Sequence, residues 1–476
     1  MIAEVAEPKG WTVYLVGGVV RDLLLGFVPN FKGGKQALTD IDIVVEGAES
    51  GAGMALAEAL QSKYPQISAQ VHGQFQTAAL TWPSTINANS SVSLDADSLP
   101  LISIDIATAR TEFYPYPAAN PEVAASSIAQ DLYRRDFTIN AMAIRLTKVG
   151  DVPVGTLLDP FDGWTDLQNQ QVRVLHRDSF IDDPTRIFRA VRFAVRLGFS
   201  LETQTEQLVR TSIDSGIYEK MRADSRKTPA LQSRLKAELV YLLQTKNWEA
   251  ALQKIDRLGA WACLDSTISI TPLLWRQLRR MDRWLTRFGV QPVARQRSLK
   301  DTDSVRTSGV ANEISTLKTG ALLKLRQPRW LILLELLLLQ LPSEQAVRVA
   351  DNLSLDASSR RRLEKLRLWE ACLLEEFAVA QRPSQLYWLL KKYELCELLL
   401  MSDRHPYTLG PQIWQYILRL SQVASPIDGA TLKRLGLQPG PKFREILTEV
   451  HRLVLDGELA TSQDAEKYVL THYLSS

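Results

Sequence analysis

The stretches VYLVGGVVRD (residues 13–22) and TDIDIVV (residues 39–45) predict a strand, a glycine turn, a helix, a loop and a second strand. The first strand ends in Gly17 and Gly18, and paired glycines allow backbone N–H groups to approach a phosphate where a helix begins. Arg21 adds a positive charge one turn into that helix. We therefore predict that Gly17, Gly18 and Arg21 bind phosphate.

The second stretch places two carboxylates on one face of a strand. Because residues i and i+2 of a strand point the same way, Asp40 and Asp42 project together, while Ile41 and Ile43 point to the opposite face. Two adjacent carboxylates repel each other unless a cation lies between them, and Mg²⁺ accepts such oxygen ligands. Asp40 and Asp42 are therefore predicted to hold Mg²⁺ beside the phosphate site, a combination typical of nucleotidyl transfer.

A third carboxylate follows in the predicted strand LISIDIA, residues 101–107. Asp105 either faces Asp40 and Asp42 as a further catalytic carboxylate or lies at a solvated strand edge. The residues alone favour neither interpretation.

The segment DLYRRDFTINAMA, residues 131–143, contains a second polar group among apolar residues. Arg135, Asp136 and Asn140 offer a phosphate donor and partners for ribose hydroxyls, and their apolar neighbours predict that they lie on a buried helix. A solvated helix end is the alternative interpretation of the Arg-Arg-Asp sequence.

A helix is predicted to begin at Asp183 and Pro184, which are typical of an N-cap and a first turn. Four arginines fall within a sector of about 120° around the axis of that helix, and apolar residues occupy the other side. The arginines are Arg186, Arg189, Arg192 and Arg196. Four like charges at this spacing repel one another and are unusual without an anionic partner. We therefore predict triphosphate and base contacts, against the alternative of a solvated face.

Asp183 and Arg186 also suggest how a base is selected. Cytosine and adenine each present an exocyclic amine donor beside a ring-nitrogen acceptor, whereas uracil and guanine present the opposite order. An Asp acceptor next to an Arg donor therefore matches C or A and leaves U or G with unpaired groups.

Composition is that of an ordinary globular protein with room for several domains, because the 476 residues are 45% hydrophobic and 23% charged. The net charge of +3 is too small to indicate a nucleic-acid partner by itself. The three cysteines are too few for a disulfide framework, and we expect buried thiols in a reducing cytoplasm. The apolar run at residues 330–341 is too short to span a bilayer, and the N-terminus does not resemble a secretory signal.

The motifs together resemble the bacterial-type (class II) tRNA nucleotidyltransferase and poly(A) polymerase family. They occur in the family's order over residues 11–200: GGVVRD (17–22), DID (40–42), RRDFTINA (134–141), LDPFDG (158–163) and DDPTR (182–186). The resemblance is weaker afterwards, although GLQPGP (436–441) is similar to the C-terminal segment of the family. The link at 27–38, the insertion at 83–97 and Asp162, where the family has glycine, depart from the pattern.

The resemblance implies an α+β fold, with a small N-terminal nucleotidyltransferase head of mixed β-sheet followed by an all-α neck, body and tail. The implied boundaries are 1–145 for the head, 146–220 for the neck with its base-reading helix, 221–360 for the body and 361–476 for a tRNA-binding tail. Helical periodicity beyond residue 200 agrees with this division and predicts single helices over 208–218 and 384–400. We also predict a strand across 71–80, an irregular loop over 110–130 and a polar connection over 295–318.

The function implied by the resemblance is Mg²⁺-dependent addition of C and A nucleotides, from CTP and ATP, to the 3′ end of tRNA. Addition of CC only or of A only is equally compatible with the motifs. Poly(A) polymerase shares every motif, but the modest charge and the lack of a long basic tail are unfavourable to it. A non-catalytic RNA-binding protein is disfavoured because both metal-binding carboxylates are present.

Overall fold

The computed structural model describes residues 1–26, 41–47, 51–72, 77–83, 101–116, 119, 121–149, 152–223, 229–290 and 325–474. Within these residues the chain forms two compact units, one over Met1–Thr267 and one over the residues that follow from Ile268. Asp40, the link at 27–38, most of the insertion at 83–97 and the polar connection at 295–318 lie outside the described residues.

The first unit contains a seven-stranded mixed sheet with the order β3-β4-β5-β2-β1-β8-β9. Its strands are β1 (Thr12–Val16), β2 (Ile41–Glu46), β3 (Ser68–His72), β4 (Thr77–Pro83), β5 (Leu101–Thr108), β8 (Ala143–Val149) and β9 (Val152–Leu158). β2 and β5 run parallel, and the other neighbours pair antiparallel. Two further pairs lie outside this sheet: β6 (Arg110–Phe113) with β7 (Glu122–Ala125), and β10 (Gln171–Val172) with β11 (Ser200–Leu201).

Strand periodicity gives the sheet two apolar faces. Ile43 and Ile106 belong to a core on one face that also includes Leu56 and Leu60 of the helix Ala52–Lys63. Val44 belongs to a separate core on the other face. Alternation along β2 therefore turns Asp42 away from Ile41 and Ile43, as the sequence predicts.

Two predictions for the head are wrong. A single strand was expected across residues 71–80, but β3 and β4 form an antiparallel pair with His72 opposite Thr77. The segment 110–130 was expected to be an irregular loop, but it contains the β6–β7 hairpin and the start of the helix Ile128–Tyr133, which Ser127 caps. Neither division is marked in the sequence, because the residues between the paired strands contain no Asn-Gly or Asp-Gly.

The first unit also contains eleven α-helices among its described residues. They are α1 (Ile2–Ala6), α2 (Gly18–Leu24), α3 (Ala52–Lys63), α4 (Ile128–Tyr133), α5 (Gly163–Gln168), α6 (Ser179–Asp182), α7 (Thr185–Leu197), α8 (Thr203–Asp214), α9 (Ile217–Ala223), α10 (Pro229–Gln244) and α11 (Trp248–Leu258). α7 ends at Gly198, whose φ of +73° is a left-handed conformation that favours glycine. One helix was expected over Leu208–Tyr218, but Gly216, with φ +69°, separates α8 from α9.

The second unit is helical throughout its described residues. Its helices are α12 (Pro272–Arg287), α13 (Arg329–Leu338), α14 (Ser343–Asn352), α15 (Ala357–Val379), α16 (Pro383–Leu390), α17 (Leu395–Arg404), α18 (Gly410–Leu418), α19 (Gly429–Arg434), α20 (Pro441–Leu455) and α21 (Ser462–Val469). After its first residue, Arg329, α13 is apolar except for Glu335, which is fully buried and accepts hydrogen bonds from Arg362 and Ser359 of α15. This bonding satisfies a carboxylate that would otherwise be costly to bury.

The predicted fold class is confirmed: a mixed-sheet head precedes a helical remainder, and β11 is the last strand in the described part of the chain. The head sheet runs to Leu158, past residue 145. Cys263 and Cys396 are buried as expected, but Cys372 is exposed on the outer side of α15. Among the described helices, none is both long and apolar enough to cross a membrane.

Candidate active site

Two carboxylates lie side by side on the central strands β2 and β5 of the head sheet, at the level where β2 begins. This end of the strands is called the edge of the sheet below. Asp42 of β2 is in register with Asp105 of the parallel neighbour β5. Residues in register on adjacent strands share a face, so both side chains leave the sheet on the side opposite Ile43 and Ile106. Asp42 is exposed and Asp105 is half-buried. Asp40, the other predicted metal ligand, lies outside the described residues.

The glycine turn lies at the same edge. The antiparallel register of β1 and β2 places Leu15 opposite Ile43, so Gly17, two residues later, is beside the start of β2. Gly17 has φ +72°, and a Cβ there would come 2.7 Å from Nη1 of Arg135. Glycine is therefore required both by the backbone conformation and by the close approach of a guanidinium. Gly18 begins α2, as predicted.

Arg21 is buried instead of facing solvent. Only 2% of it is exposed, and its Nη1 donates to Oδ1 of Asn140 at 2.6 Å while its Nε donates to Asp22. Burial lowers the pKa of the guanidinium, and the neighbouring Asp22 charge opposes that effect. Because its guanidinium is held by Asp22 of α2 and by Asn140, Arg21 is suited to fixing the position of these side chains.

Asp136 connects the head to the arginine helix α7. Its Oδ1 accepts from the side-chain amide of Asn140 at 2.9 Å, and its Oδ2 accepts from Nε and Nη2 of Arg189 at 2.8 and 2.5 Å. Burial acts to raise the pKa of Asp136, but the Arg189 charge and the hydrogen bonds from Asn140 and Arg189 prevail and lower it to about 2. The carboxylate is therefore held ionised.

The local structure around Asp136 differs from the predicted buried helix. α4 ends at Tyr133, and a 3₁₀ turn over Thr138–Asn140 follows, so Arg135 and Asp136 lie between two short helices. Arg135 is anchored by a hydrogen bond from its Nη2 to the fully buried Asp131, 3.0 Å away. Its guanidinium also approaches Gly17, so the predicted phosphate donor and the glycine turn are neighbours.

Asp183 and Arg186, the predicted base-reading pair, are both mostly buried at the start of α7. Oδ1 of Asp183 accepts from the backbone N–H and the hydroxyl of Thr185, and its Oδ2 lies 3.6 Å from Nη1 of Arg234. Arg186 donates through Nη1 to the hydroxyl of Ser179 and through Nη2 to the carbonyl of Arg134. These contacts fix both side chains and leave some of their hydrogen-bonding capacity unused.

The remaining arginines of α7 have partners that the sequence did not predict. Glu238 of α10 lies 3.4 Å from Arg189 and 3.3 Å from Nε of Arg192, the latter without the alignment of a hydrogen bond. Burial raises the pKa of Glu238, and the charges of Arg192 and Arg189 only partly oppose it. Arg196 reaches Asp22 of α2. Acidic residues of the protein thus partly neutralise the arginines of α7. Neither interpretation made from the sequence, triphosphate and base contacts or a solvated face, included such partners.

Several neighbours of the site were missed from the sequence: Asp131, Ser179, Thr185, Arg234 and Glu238. A capping pattern could have indicated Thr185, because it follows Asp183 at the start of a helix. Helical spacing could have indicated Asp131, because it lies four residues before Arg135 and pairs with it. Ser179 is on α6, and Arg234 and Glu238 are brought in by α10, a helix distant in sequence from the other site residues.

Asp136→Asn should lower the free energy of unfolding by about 2 kcal/mol at pH 7, since it leaves Arg189 without its carboxylate while that side chain keeps some access to water. The pKa of Asp136 is lower in the folded protein than its usual 3.8. Its stabilising contribution is therefore complete above about pH 4 and is lost as the pH falls towards 2. Denaturant titrations of both proteins between pH 3 and 7 should show a difference that shrinks at the acid end. A constant difference would contradict the ionised pair.

Residues 13–173 match the model of the poly A polymerase head domain. This part of the chain is therefore similar to a head domain of that type. Together with the relatives and structures that follow, the match shows that the chain is similar to tRNA nucleotidyltransferases and poly(A) polymerases, the resemblance that the sequence motifs predict.

Curated relatives are similar along different lengths of the chain. An A-adding tRNA nucleotidyltransferase from Geobacter sulfurreducens is 29% identical over 470 residues, which is 97% of this chain and 45% of the relative. A CC-adding tRNA nucleotidyltransferase from Deinococcus radiodurans is 39% identical over 183 residues, which is 38% of this chain and 40% of the relative. The chain thus spans less than half the length of these relatives.

Solved structures are similar along the whole chain. The structure of a CCA-adding enzyme, apo form II, has a TM-score of 0.68 and 28% identity, covering 99% of this chain and 94% of its own. A complex of a CCA-adding enzyme with ATP has a TM-score of 0.65 and 27% identity, covering 100% and 93%. The Thermotoga maritima CCA-adding enzyme complexed with tRNA_CCA has a TM-score of 0.64 and 27% identity, covering 99% and 93%.

Proposed function

We propose that this chain is a tRNA nucleotidyltransferase that adds C and A nucleotides to the 3′ end of tRNA, from CTP and ATP, without a nucleic-acid template and with release of pyrophosphate. One observation carries the proposal. A continuous hydrogen-bond path, buried as far as Asp136, runs from Arg21 on α2 through Asn140 and Asp136 to the partly exposed Arg189 on α7. It joins the sheet edge that carries Asp42 to the helix that carries the base-reading pair.

Mg²⁺ is the cofactor that suits this edge. Asp40 and Asp42 would hold it, because carboxylate oxygens are preferred Mg²⁺ ligands and Asp42 has a second carboxylate, Asp105, beside it in register. When bound, Mg²⁺ would supply positive charge for attack of the 3′-hydroxyl on the α-phosphate and for the departing pyrophosphate. The protein's contribution is to keep Asp42 and Asp105 in register on one face of the sheet.

The triphosphate would lie between the glycine turn and α7. Gly18 offers a backbone N–H at the start of α2, and Arg135, Arg189 and Arg192 offer guanidinium groups. Arg189 suits this role because 35% of its side chain is exposed although Asp136 and Glu238 hold it in place. Arg21 would act as a positioning residue for Asn140, since its own side chain is buried.

The base would be read by Asp183 and Arg186. Oδ2 of Asp183 would accept from the exocyclic amine of C or A, because Oδ1 is already engaged by Thr185. Each Nη of Arg186 carries two protons and donates one of them, Nη1 to Ser179 and Nη2 to the carbonyl of Arg134, so a proton is left for a ring nitrogen. Selection by the protein explains why no template would be needed.

A narrower activity, addition of the terminal A only, is the second candidate. It is favoured by the likeness to an A-adding relative over 97% of this chain. The two activities are separated by incubating the protein with tRNA that lacks the whole CCA end and with tRNA that ends after the second C, supplying CTP, ATP, UTP or GTP one at a time.

Incorporation of CTP into the shorter tRNA followed by ATP into the longer one supports the CCA-adding proposal, and incorporation of ATP into the longer tRNA alone supports the narrower one. Long A tails on unrelated RNA would instead identify a poly(A) polymerase. Failure to incorporate any nucleotide with Mg²⁺ present would contradict the whole proposal.

A further inference from the structure

A second basic surface lies in the helical unit that follows Ile268, and none of its residues is assigned to nucleotide binding. The helix α12 contains five arginines in the sequence WRQLRRMDRWLTR, residues 275–287. Arg276, Arg283 and Arg287 are exposed and lie at positions i, i+7 and i+11, which fall on one side of a helix. The opposite side packs into the core through Leu278, Met281 and Leu285. Arg279 is exposed as well, and Arg276, Arg283 and Arg287 are called the α12 row below.

The acidic residues nearest this helix are engaged by other cations. Asp282, the only acid on α12, pairs with the buried Arg329. Asp403 of α17 accepts from Nε of Arg280 at 2.6 Å. The α12 row therefore presents positive charge to solvent beside carboxylates that are already paired.

An aromatic cleft adjoins the row. It is formed by Trp284 and Phe288 from α12 and its end, and by Trp414 from α18. The ring centroids of Trp284 and Trp414 are 4.9 Å apart at 67°, and Phe288 lies nearly parallel to Trp414 at 6.4 Å. All three rings are half-buried, and Arg287 and the exposed Leu418 complete the lining.

We propose that this surface binds RNA, with phosphates along the α12 row and an unpaired nucleobase stacked in the aromatic cleft. The proposal rests on the proposed function for the identity of the RNA, a tRNA, and adds a contact remote in sequence from the nucleotide site. Exposed guanidinium groups beside stacking rings are the pairing that single-stranded nucleic acids require.

Dimensions and charge favour RNA over a protein partner. The row spans about 16 Å from Arg276 to Arg287, long enough for each of its three arginines to contact a separate phosphate of one strand. An apolar protein surface would fill the cleft but would leave these arginines without counter-charge. The aromatic faces accept any base, so binding here would hold the tRNA without reading its sequence.

The charge is tested by Arg283→Gln/Arg287→Gln, with Arg257→Gln/Arg348→Gln as the matched control that removes two exposed cations from α11 and α14. Affinity of the full chain for tRNA lacking its CCA end is measured by fluorescence anisotropy from 50 to 300 mM salt. We expect the α12 variant to bind about tenfold more weakly at low salt, with the slope of log K against log salt reduced by about two. The control should keep the slope of the unmodified chain.

Stacking is tested by Trp414→Leu, with Trp414→Phe as the variant that restores an aromatic face. We expect about tenfold weaker binding for leucine, an unchanged salt slope, and recovery of most of the affinity with phenylalanine. Thermal unfolding of each variant shows whether α18 still packs. If leucine unfolds the unit, the phenylalanine and arginine variants decide the matter.

Unchanged tRNA affinity in the folded arginine and tryptophan variants would overturn the inference. A loss of self-association without a loss of tRNA binding would also overturn it, because it would identify a second copy of the chain as the occupant of this surface. Nucleotide addition is measured on the same samples. If the variants bind tRNA more weakly but the unmodified chain adds no nucleotide, the RNA surface is supported and the proposed function is contradicted. If nucleotide addition is complete and the variants keep their affinity for tRNA, the proposed function is supported and the RNA surface is contradicted.

Discussion

Asp42→Ala should abolish nucleotide addition, lowering kcat by about a thousandfold or more, while the fold and tRNA affinity are retained. The physical reason is the loss of a carboxylate that would hold Mg²⁺ where charge develops on the phosphates. Asp42 is exposed on β2 and contributes nothing to the apolar core formed by Ile43 and Ile106 on the opposite face, so the sheet should tolerate alanine. Incorporation of labelled ATP or CTP into tRNA at saturating Mg²⁺ measures the effect.

Glu58→Ala is the matched control, because it removes an exposed carboxylate from α3, the helix that packs against the other face of the sheet. It should keep full activity. Asp105→Asn belongs in the same series, since the register with Asp42 supports a shared role, and we expect a loss of the same order. Full activity of Asp42→Ala in Mg²⁺ would contradict the metal assignment.

Asp183→Ala should reduce discrimination against UTP and GTP by about ten- to a hundredfold. The variant leaves the exocyclic amine of C or A without its acceptor, and because an unpaired amine costs about 1–3 kcal/mol, C and A lose that advantage over U and G. The measurement is single-nucleotide incorporation on tRNA lacking its terminus, comparing CTP or ATP with UTP. Arg189→Ala is the contrasting variant. If it serves the phosphates, all four nucleotides should weaken alike.

Alanine at position 183 also removes the acceptor for the N–H of Thr185, which costs about 1 kcal/mol at a helix start. Asp183→Asn separates the two effects. Its oxygen can keep the Thr185 contacts, while its amide presents a donor where the base amine requires an acceptor. Unchanged selectivity in an active Asp183→Asn enzyme would show that the base is chosen elsewhere or by the RNA.

Recognising the head required only local patterns. The alternation in residues 39–45 predicts which side chains enter the core, and Ile41 and Ile43 are indeed packed on the face that Asp42 avoids. The apolar positions of α7 were also predictable, because Ile187, Val191 and Ala194 recur at helical spacing and are buried. Short elements were harder: the β6–β7 hairpin and the separation of α16 from α17 depend on turns with weak signatures.

What the sequence by itself determined is the order of elements, the face of each strand and helix, and the residue types that the chemistry needs, because these follow from periods of 2 and 3.6 residues. Tertiary structure alone decided the partners. It set Asp105 beside Asp42, buried Arg21 against Asn140, and joined Arg189 to both Asp136 and Glu238. Such pairs unite residues far apart in the chain, and their energies depend on burial, which no local pattern contains.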